Sequence, residues 1–366
     1  MSLKKLRGHI DRIDKKIVDL LNERAKLVSS VARIKSIKKI SIFSPEREAL
    51  ILRKIKAINK GPLSSKDLEI IYREILSVCR ALQIKVKIGY LGPEGTFTHL
   101  AAIRKFGSRS QFLSCDSIRE VFEHVERADV DYGVVPIENS IEGAVTYTLD
   151  MFLESNLKIC AEIFLNISHS LLRISEAKKL LRIYSHPQVF SQCRRWIISQ
   201  YPNAQLVPTS TTAKAAQMAK KDKESACIGN HVLAAIYGLK EIKKHIEDSP
   251  SNVTRFLVIS KNDSLPSAHD KTSILFSIKD KVGALHDALN SFKRNGINLT
   301  KIESRPSKRK PWEYYFFVDF EGHREDKNVS SALRSLERKC AFLRILGSYP
   351  KEDDGYKEEF KAIKGL

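Results

Sequence analysis

From His9 to Ser44 the chain contains neither glycine nor proline, and its apolar residues recur every seven positions. Leu3, Ile10, Ile17, Arg24 and Val31 form one line, and Leu6, Ile13, Leu20, Leu27 and Ile34 a second. A sustained heptad of this kind predicts one helix from Leu3 to about Lys39, roughly 55 Å long. Its apolar stripe is longer than a short helical segment can cover, so a second copy of the chain is expected against it. Ser44-Pro45 then reads as an N-cap followed by proline at the first helical position. A second helix is expected from Pro45 to about Asn59, ending at Gly61-Pro62. A third is expected from Ser64 or Ser65 to Gln83. Residues 1–85 thus read as an all-helical domain.

At Val86 the period changes. Val86–Leu91 reads as a strand, Gly92-Pro93-Glu94-Gly95 as a turn and Thr96–Phe106 as a helix. Further strands are expected at Asp131–Ile137, Ile183–Ser185, Ala226–Gly229 and Arg255–Ser260, with a helix at Thr211–Lys221. This alternation predicts an α/β domain over 86–262 with mainly parallel sheets. Asn262–Lys271 is polar, contains Pro266 and reads as a linker. Over 271–350 the order becomes strand, helix, strand, strand, helix, strand, the ferredoxin-like βαββαβ plan. The charged tail from Pro350 is expected to be mobile, and no internal repeat is present.

Composition narrows the function classes. A chain of 366 residues with 42% hydrophobic and 29% charged residues suits two or three globular domains. No stretch approaches the ~20 apolar residues of a membrane span, and Met1–Lys5 lacks a signal-peptide core. A cytoplasmic protein that does not engage a membrane is expected. The six cysteines are scattered without metal-ligand or redox spacing, so no metal and no cofactor is expected. Residues 1–85 hold 21 Lys and Arg against 9 Asp and Glu, a net +12 of the chain's +20. Nucleic acid, a small polyanionic substrate and a generally basic proteome all suit that charge.

Arg24 occupies a heptad core position, where a guanidinium needs an anion. Arg7 and Lys35 flank the same seam. Snorkelling accounts for either of those two alone, whereas for Arg24 a bound dicarboxylate would supply the anion. The run Leu6-Arg7, Ile10, Ile13-Asp14, Leu20-Leu21, Arg24, Lys35, Arg47-Glu48 and Gln83 resembles the all-helical chorismate mutases. The resemblance implies that Arg24 and Arg7 clamp two carboxylates, with Arg7 supplied by the other protomer. It also implies that Lys35 and Gln83 bond the ether oxygen and Glu48 the ring hydroxyl. Arg47, Ser44 and Cys79 join the binding set by the same resemblance. Ser44 stands where many members carry Asp and Cys79 where some carry Ser, and Ser44 also reads as a helix cap. The rearrangement of chorismate to prephenate needs no nucleophile. Pre-organised cations that stabilise charge growing on the ether oxygen suffice.

Four ordered motifs follow. Gly92-Pro93-Glu94-Gly95-Thr96-Phe97-Thr98-His99 is a strand-turn-helix that reads equally as an anion cradle or as an empty turn. Val135–Gly143, Tyr184–Gln192 and Asn252-Val253-Thr254-Arg255-Phe256 place small polar groups at strand ends, where open α/β sheets bind ligands. Together the four resemble the prephenate dehydratases, which implies two α/β lobes around a cleft, like a periplasmic binding protein. Prephenate there loses carbon dioxide and its ring hydroxyl to give phenylpyruvate. The resemblance implies Thr254 at the leaving hydroxyl, acting as a hydrogen-bond donor. Glu138, Asn139, Ser185 and Gln192 become substrate-binding residues, with Arg255 a natural carboxylate partner. His186 reads as a loop-positioning residue and not as a base.

Gly283-Ala284-Leu285 opens a helix and Glu303-Ser304-Arg305-Pro306 closes a strand. Both resemble the regulatory ACT domain, which implies phenylalanine binding at a subunit interface. Helix-start amides would take its carboxylate, and Glu303 or nearby carbonyls its ammonium. The expectation is therefore a bifunctional enzyme of phenylalanine biosynthesis, a homodimer or larger, inhibited by phenylalanine. Arogenate as the second substrate is the near alternative. A basic, amino-acid-responsive regulator that binds nucleic acid is the distant one.

Overall fold

The computed structural model describes residues 2–38, 43–174, 179–279, 281–307 and 313–352. The expected helix end at Lys39 and the tail after residue 352 lie outside them. The chain divides into two compact units, residues 1–87 with 106–111, and residues 88–105 with 112–366.

The first unit is helical: α1 (Leu3–Ile37), α2 (Pro45–Ile58) and α3 (Ser65–Ala81). The seam of α1 stays bare within one chain: Leu20 is 63% exposed and Leu27 64%. Ser64 caps α3 by accepting from the Asp67 amide. Ser44 does not cap α2 through its side chain, contrary to expectation. It keeps the extended N-cap backbone, while its hydroxyl donates to the Glu46 carboxylate and accepts from none of the helix-start amides.

The second unit begins with a lobe of β1 (Lys87–Leu91), β2 (Gln111–Cys115), β3 (Tyr132–Asn139), β4 (Gly143–Ala144) and β5 (Lys158–Asn166), with helices α4 (Phe97–Phe106), α5 (Ile118–Arg127) and α6 (Thr146–Glu154). The chain then builds a second lobe from β6 (Ser170–Arg173), β7 (Arg182–Ser185), β8 (Gln205–Pro208), β9 (Ser225–Gly229) and β10 (Lys240–Lys243), with α7 (Pro187–Gln192), α8 (Arg194–Gln200), α9 (Thr212–Lys221) and α10 (Val232–Tyr237). It returns through β11 (Val253–Ser260). The sheet orders are β2-β1-β3-β11-β5 and β10-β6-β9-β7-β8.

These sheets are mixed, which corrects the expectation of mainly parallel ones. The chain leaves the first lobe after β5 and re-enters it through β11, which therefore runs antiparallel to both neighbours, β3 and β5. In the second lobe β7 is parallel to β8 and β9, while β6 opposes β9.

A third sheet, β13-β14-β12-β15, follows the βαββαβ plan: β12 (Asp270–Ile278), α11 (Ala284–Arg294), β13 (Leu299–Pro306), β14 (Tyr314–Glu321), α12 (Lys327–Glu337) and β15 (Cys340–Pro350). One face packs on α11 and α12 through Ile274, Phe276, Val318 and Phe320. The other face adds Leu275, Phe317, Leu346 and Tyr349 to the core that holds Phe152 and Ile159 of the first lobe. The expected linker is not loose. Ser264, Ser267 and Asp270 are buried, and Asp263 accepts from Arg324 and from the Ser348 amide. Polar side chains suited to turns here satisfy buried backbone and charge. Among the described residues no helix is long and apolar enough to cross a membrane.

The ferredoxin-like sheet approaches the first lobe at backbone distance. A Cβ on Gly347 would lie 2.1 Å from the Ile159 carbonyl oxygen, an obstruction no rotamer can relieve. Gly347→Ala should therefore destabilise the second unit by about 2 kcal/mol or more. At roughly 2–4 °C per kcal/mol for a domain of this size, calorimetry should register a melting point lower by about 4 °C or more.

Candidate active site

Two clusters form, one in each unit. In the first, Arg24 donates from Nη1 to Cys79 Sγ at 2.9 Å, linking α1 to α3. Burial lowers the Lys35 pKa, and the carboxylates of Glu46 and Glu48 oppose that shift. Gln83 reaches the Cys79 carbonyl at 3.5 Å, and its own Oε1 is buried without a partner. Arg24 and Gln83 thus both reach Cys79, and Lys35 lies within electrostatic reach of Glu48, whereas Arg7 and Arg47 are exposed. Sequence reasoning missed Arg80, which is 5% exposed and pairs with Glu48 and the Phe106 carbonyl. Its signal was one turn of helix: Arg80 follows Leu76 by four residues on the buried face of α3.

In the second unit the pairing of β3 with β11 sets Asn139 opposite Thr254 and Glu138 opposite Arg255. Successive strand residues face opposite ways, so the two pairs occupy opposite faces of the sheet. Asn139 Oδ1 accepts from the backbone amides of Ile141 and Glu142 at 3.0 and 3.1 Å. Those two donors fix the orientation of the side-chain amide. Nδ2 must then donate, and it does so to Asn252 Oδ1 at 2.7 Å and to Thr254 Oγ1 at 2.8 Å. Since Thr254 Oγ1 accepts from Asn139, its own hydrogen is free to donate elsewhere.

Asn252 is the residue missed on this side. It is 2% exposed, and its Nδ2 is buried without a partner among the described residues. Its position two before Thr254, on the same strand face, was the available signal. Gln192 spans the lobes, donating to Glu142 at 2.9 Å. A carboxylate only accepts, so Gln192 Oε1 receives the His169 Nε2 hydrogen, at 2.8 Å. His169 Nδ1 is then a buried acceptor without a partner among the described residues. His169 follows β5 just as Asn252 precedes β11, so both sit where the chain crosses between lobes.

Other expected residues are differently engaged. The Ser185 hydroxyl is fully buried and donates to the Ile228 carbonyl at 2.7 Å. His186 caps α7, accepting from the Gln188 amide. The Gly95 amide, one of the imagined anion donors, is taken by His99 Nδ1 at 3.2 Å, and Asn230 bonds the Gly95 carbonyl from the second lobe. Arg255 is not free for a substrate carboxylate. It is 6% exposed, with its donors engaged by Glu162, Asp319 and Tyr349. The strand alternation that aims Thr254 one way aims Arg255 the other.

In the third sheet Gly283 has φ +76° at the start of α11, and nothing lies within 4 Å of a Cβ placed there. Ser304 and Pro306 are exposed on β13. Arg305 points to the opposite face and pairs with Asp150 of α6 at 3.1 Å, so it is not available to a ligand beside Ser304. No group of three or more potential metal ligands occurs among the described residues.

The fold and site define an α/β enzyme with a two-lobed cleft, a ferredoxin-like appendage and a separate helical unit. Family models match in the same order: chorismate mutase type II at 6–84, prephenate dehydratase at 88–264 and ACT domain at 272–338. The bifunctional chorismate mutase/prephenate dehydratase of Aquifex aeolicus is 49% identical over 354 residues, 95% of this chain and 98% of its own. That of Stutzerimonas stutzeri is 44% identical over the same shares. The prephenate dehydratase of Arthrobacter aurescens, solved with L-Phe, superposes with a TM-score of 0.68 at 33% identity, over 76% of this chain and 98% of that one. The chain belongs to the bifunctional chorismate mutase/prephenate dehydratase family.

Burial lowers the His169 pKa, against the opposing effects of the Gln192 bond and Glu247. Histidine-resolved NMR should show a neutral, Nε2-protonated ring that titrates below the usual ~6.5. Gln192→Leu removes a bond that raises the pKa, so titration should move lower still. An unfolded-state pKa above the folded one means this group withdraws stability as the pH drops below about 6.5.

Proposed function

We propose that this chain converts chorismate to prephenate in its helical domain, residues 1–85, and prephenate to phenylpyruvate in residues 86–262. Residues 271–350 bind phenylalanine and inhibit the second reaction. The observation that carries the dehydratase assignment is the bonding of Thr254. Thr254 Oγ1 accepts from Asn139, which leaves its hydroxyl hydrogen free to donate to a departing hydroxide. The unpartnered Asn252 Nδ2 beside it supplies a second donor for a substrate carboxylate or hydroxyl. Gln192 acts across the lobes, and closure on substrate would shield the reaction from water. Relatives carrying the prephenate name favour prephenate over arogenate.

In the helical domain, Arg24 and Lys35 supply cations for a dicarboxylate and an ether oxygen, Gln83 a donor, and Glu48 a hydroxyl partner oriented by Arg80. Arg7 serves the site of a second copy, and the bare seam of α1 supports a homodimer. Cys79, Ser44 and Arg47 complete the binding surface. A catalytic use explains why Arg24 and Lys35 are half-buried and turned toward polar groups, as a solvent-facing nucleic-acid stripe would not be. Phenylalanine is assigned to Gly283, Ala284, Leu285 and Ser304, with Pro306 and Glu303 at its margin. The Arthrobacter relative was solved with L-Phe, which supports phenylalanine as the effector.

The decisive comparison is Thr254→Val against Thr254→Ser. Val should lower dehydratase kcat by about 100-fold with a small change in KM, the loss expected for one transition-state donor. Ser should retain most of the turnover. Equal activity in the two would remove the hydroxyl from the mechanism. Independently, Lys35→Ala should lower mutase turnover by about 100-fold or more while dehydratase turnover stays near the parent value. Loss of ultraviolet absorption by chorismate measures that step.

A further inference from the structure

Arg255 directly follows Thr254 in β11, yet its side chain belongs to a different assembly. Nε donates to Glu162 Oε2 at 2.9 Å, Nη1 to Asp319 Oδ2 at 2.5 Å and Nη2 to Tyr349 Oη at 3.0 Å. Glu162 lies on β5, but Asp319 is on β14 and Tyr349 on β15, both in the ferredoxin-like sheet. Lys271 of β12 bonds both Glu162 oxygens, at 2.9 and 2.8 Å. Ser273 donates to Asp319 at 2.5 Å and lies 2.6 Å from Tyr349 Oη. Lys301 of β13 sits 2.8 Å from Glu138 Oε2, an ion pair outside good hydrogen-bond alignment. Glu138 is itself the cross-strand partner of Arg255 and lies 3.9 Å from its Nη1.

Three cations, Arg255, Lys271 and Lys301, therefore meet three carboxylates, Glu138, Glu162 and Asp319. Arg255, Glu162 and Lys271 are almost wholly removed from solvent. Burial opposes the charge on Arg255, but Asp319 and Glu162 outweigh it and hold the pKa well above its ordinary value. Burial likewise works against the Asp319 carboxylate, and Arg255 and Lys271 hold its pKa below normal. Both groups stay charged at neutral pH. Such clusters contribute little net stability compared with an apolar core of the same shape, but their geometry is strict. An interface that needed adhesion alone would be served by the Leu275, Phe317 and Leu346 contacts already present.

The two faces of β11 connect these observations. Thr254 and Asn139 face the cleft, and Arg255 and Glu138 face the sensor sheet, with one peptide unit between them. The pairing of β11 with β3 is irregular immediately afterwards, where Phe256 opposes Pro136. A bulge there lets the strand turn locally. On the sensor side, Lys301 pairs across strands with Asp319, and Ser304 lies three residues further along β13. β13 thus joins the Ser304 end to Lys301, and its pairing with β14 joins Lys301 to Asp319.

We propose that Arg255 is a positioning residue for Thr254, and that the Arg255–Asp319–Tyr349 contacts carry the effector's influence from the sensor sheet to the dehydratase site. This rests on the reading of Thr254 and of the phenylalanine site given above. An effector acts only by binding two arrangements unequally. Here the arrangements differ in how the sensor strands grip Arg255. Displacement of a reacting group by about 1 Å can cost about 100-fold in rate, so a small shift of β11 is enough.

The test uses the full chain, L-phenylalanine as the probe, and two sensor-sheet variants, Tyr349→Phe and Asp319→Asn. In the parent, saturating L-phenylalanine should lower dehydratase turnover by a factor within the range of about 5–150 typical of such couplings. In each variant the factor should fall to about 2 or less. Titration calorimetry should still register L-phenylalanine binding, and turnover without effector should stay within about threefold of the parent, under 1 kcal/mol in barrier. A structural role alone would not separate binding from inhibition. Undiminished inhibition in Tyr349→Phe overturns the proposal, as does joint loss of binding, turnover and thermal stability in that variant. Should Asp319→Asn fail to fold, Tyr349→Phe, which removes one hydroxyl from a core of unchanged shape, decides alone. A parent without dehydratase turnover, or insensitive to L-phenylalanine, would overturn the underlying reading as well, and the fault would then show in the parent instead of the variants.

Discussion

The antiparallel pairing of β3 with β11 is the contact on which the second unit depends. It brings together Asn139 and Thr254, which are 115 residues apart in sequence. The same pairing makes the first lobe continuous across the excursion that builds the second. Because β11 returns between β3 and β5, every residue on it has neighbours on both sides and two defined faces. Thr254 gains its amide partner from β3, and Arg255 gains Glu162 from β5. Neither would be oriented on an edge strand.

The hydrogen-bond directions around Asn139 follow from elementary bookkeeping. Two backbone N–H groups can only donate, so the side-chain oxygen must receive them and the amide nitrogen must face Thr254 and Asn252. A threonine is a poor acid in water. Held as an acceptor from Asn139, it keeps its own hydrogen available to donate. Asn252 Nδ2 and His169 Nδ1 are buried without a partner among the described residues, and a buried polar group left unbonded is costly. That is the kind of cost a binding site carries.

The helical unit meets a related difficulty differently. Its long seam of Leu and Ile remains exposed within one chain, at a cost of roughly 25 cal/mol for each Å² left in water. Arg24 and Lys35 are placed where that seam approaches α2 and α3, and each is turned toward polar groups of the same chain. Arg80, held by Glu48, packs against the Phe43 ring at 4.9 Å, so the acid that orients it is itself oriented.

Much of this was legible in residue order alone. The heptad from Leu3 to Ile34 specified a long helix because a 3.6-residue turn leaves no other way to align residues seven apart. The change to period two at Val86, and the βαββαβ order near the end, followed from the same geometry. The motifs around Asn139, Gln192 and Thr254 singled out residues that the structure joins by hydrogen bonds, Asn139 to Thr254 and Gln192 to Glu142. Residue order left open which face of a strand each side chain occupies, since that depends on where the neighbouring strands and domains lie. Thr254 and Arg255 stand together in one motif, yet tertiary packing sends one to the cleft and the other into a buried ion cluster. Arg305 is separated from Ser304 in the same way, by its pairing with Asp150. The antiparallel return of β11, the packed linker and the unpartnered amide of Asn252 likewise exist only once distant segments meet, because each is fixed by a partner more than ten residues away and not by its neighbours in the chain.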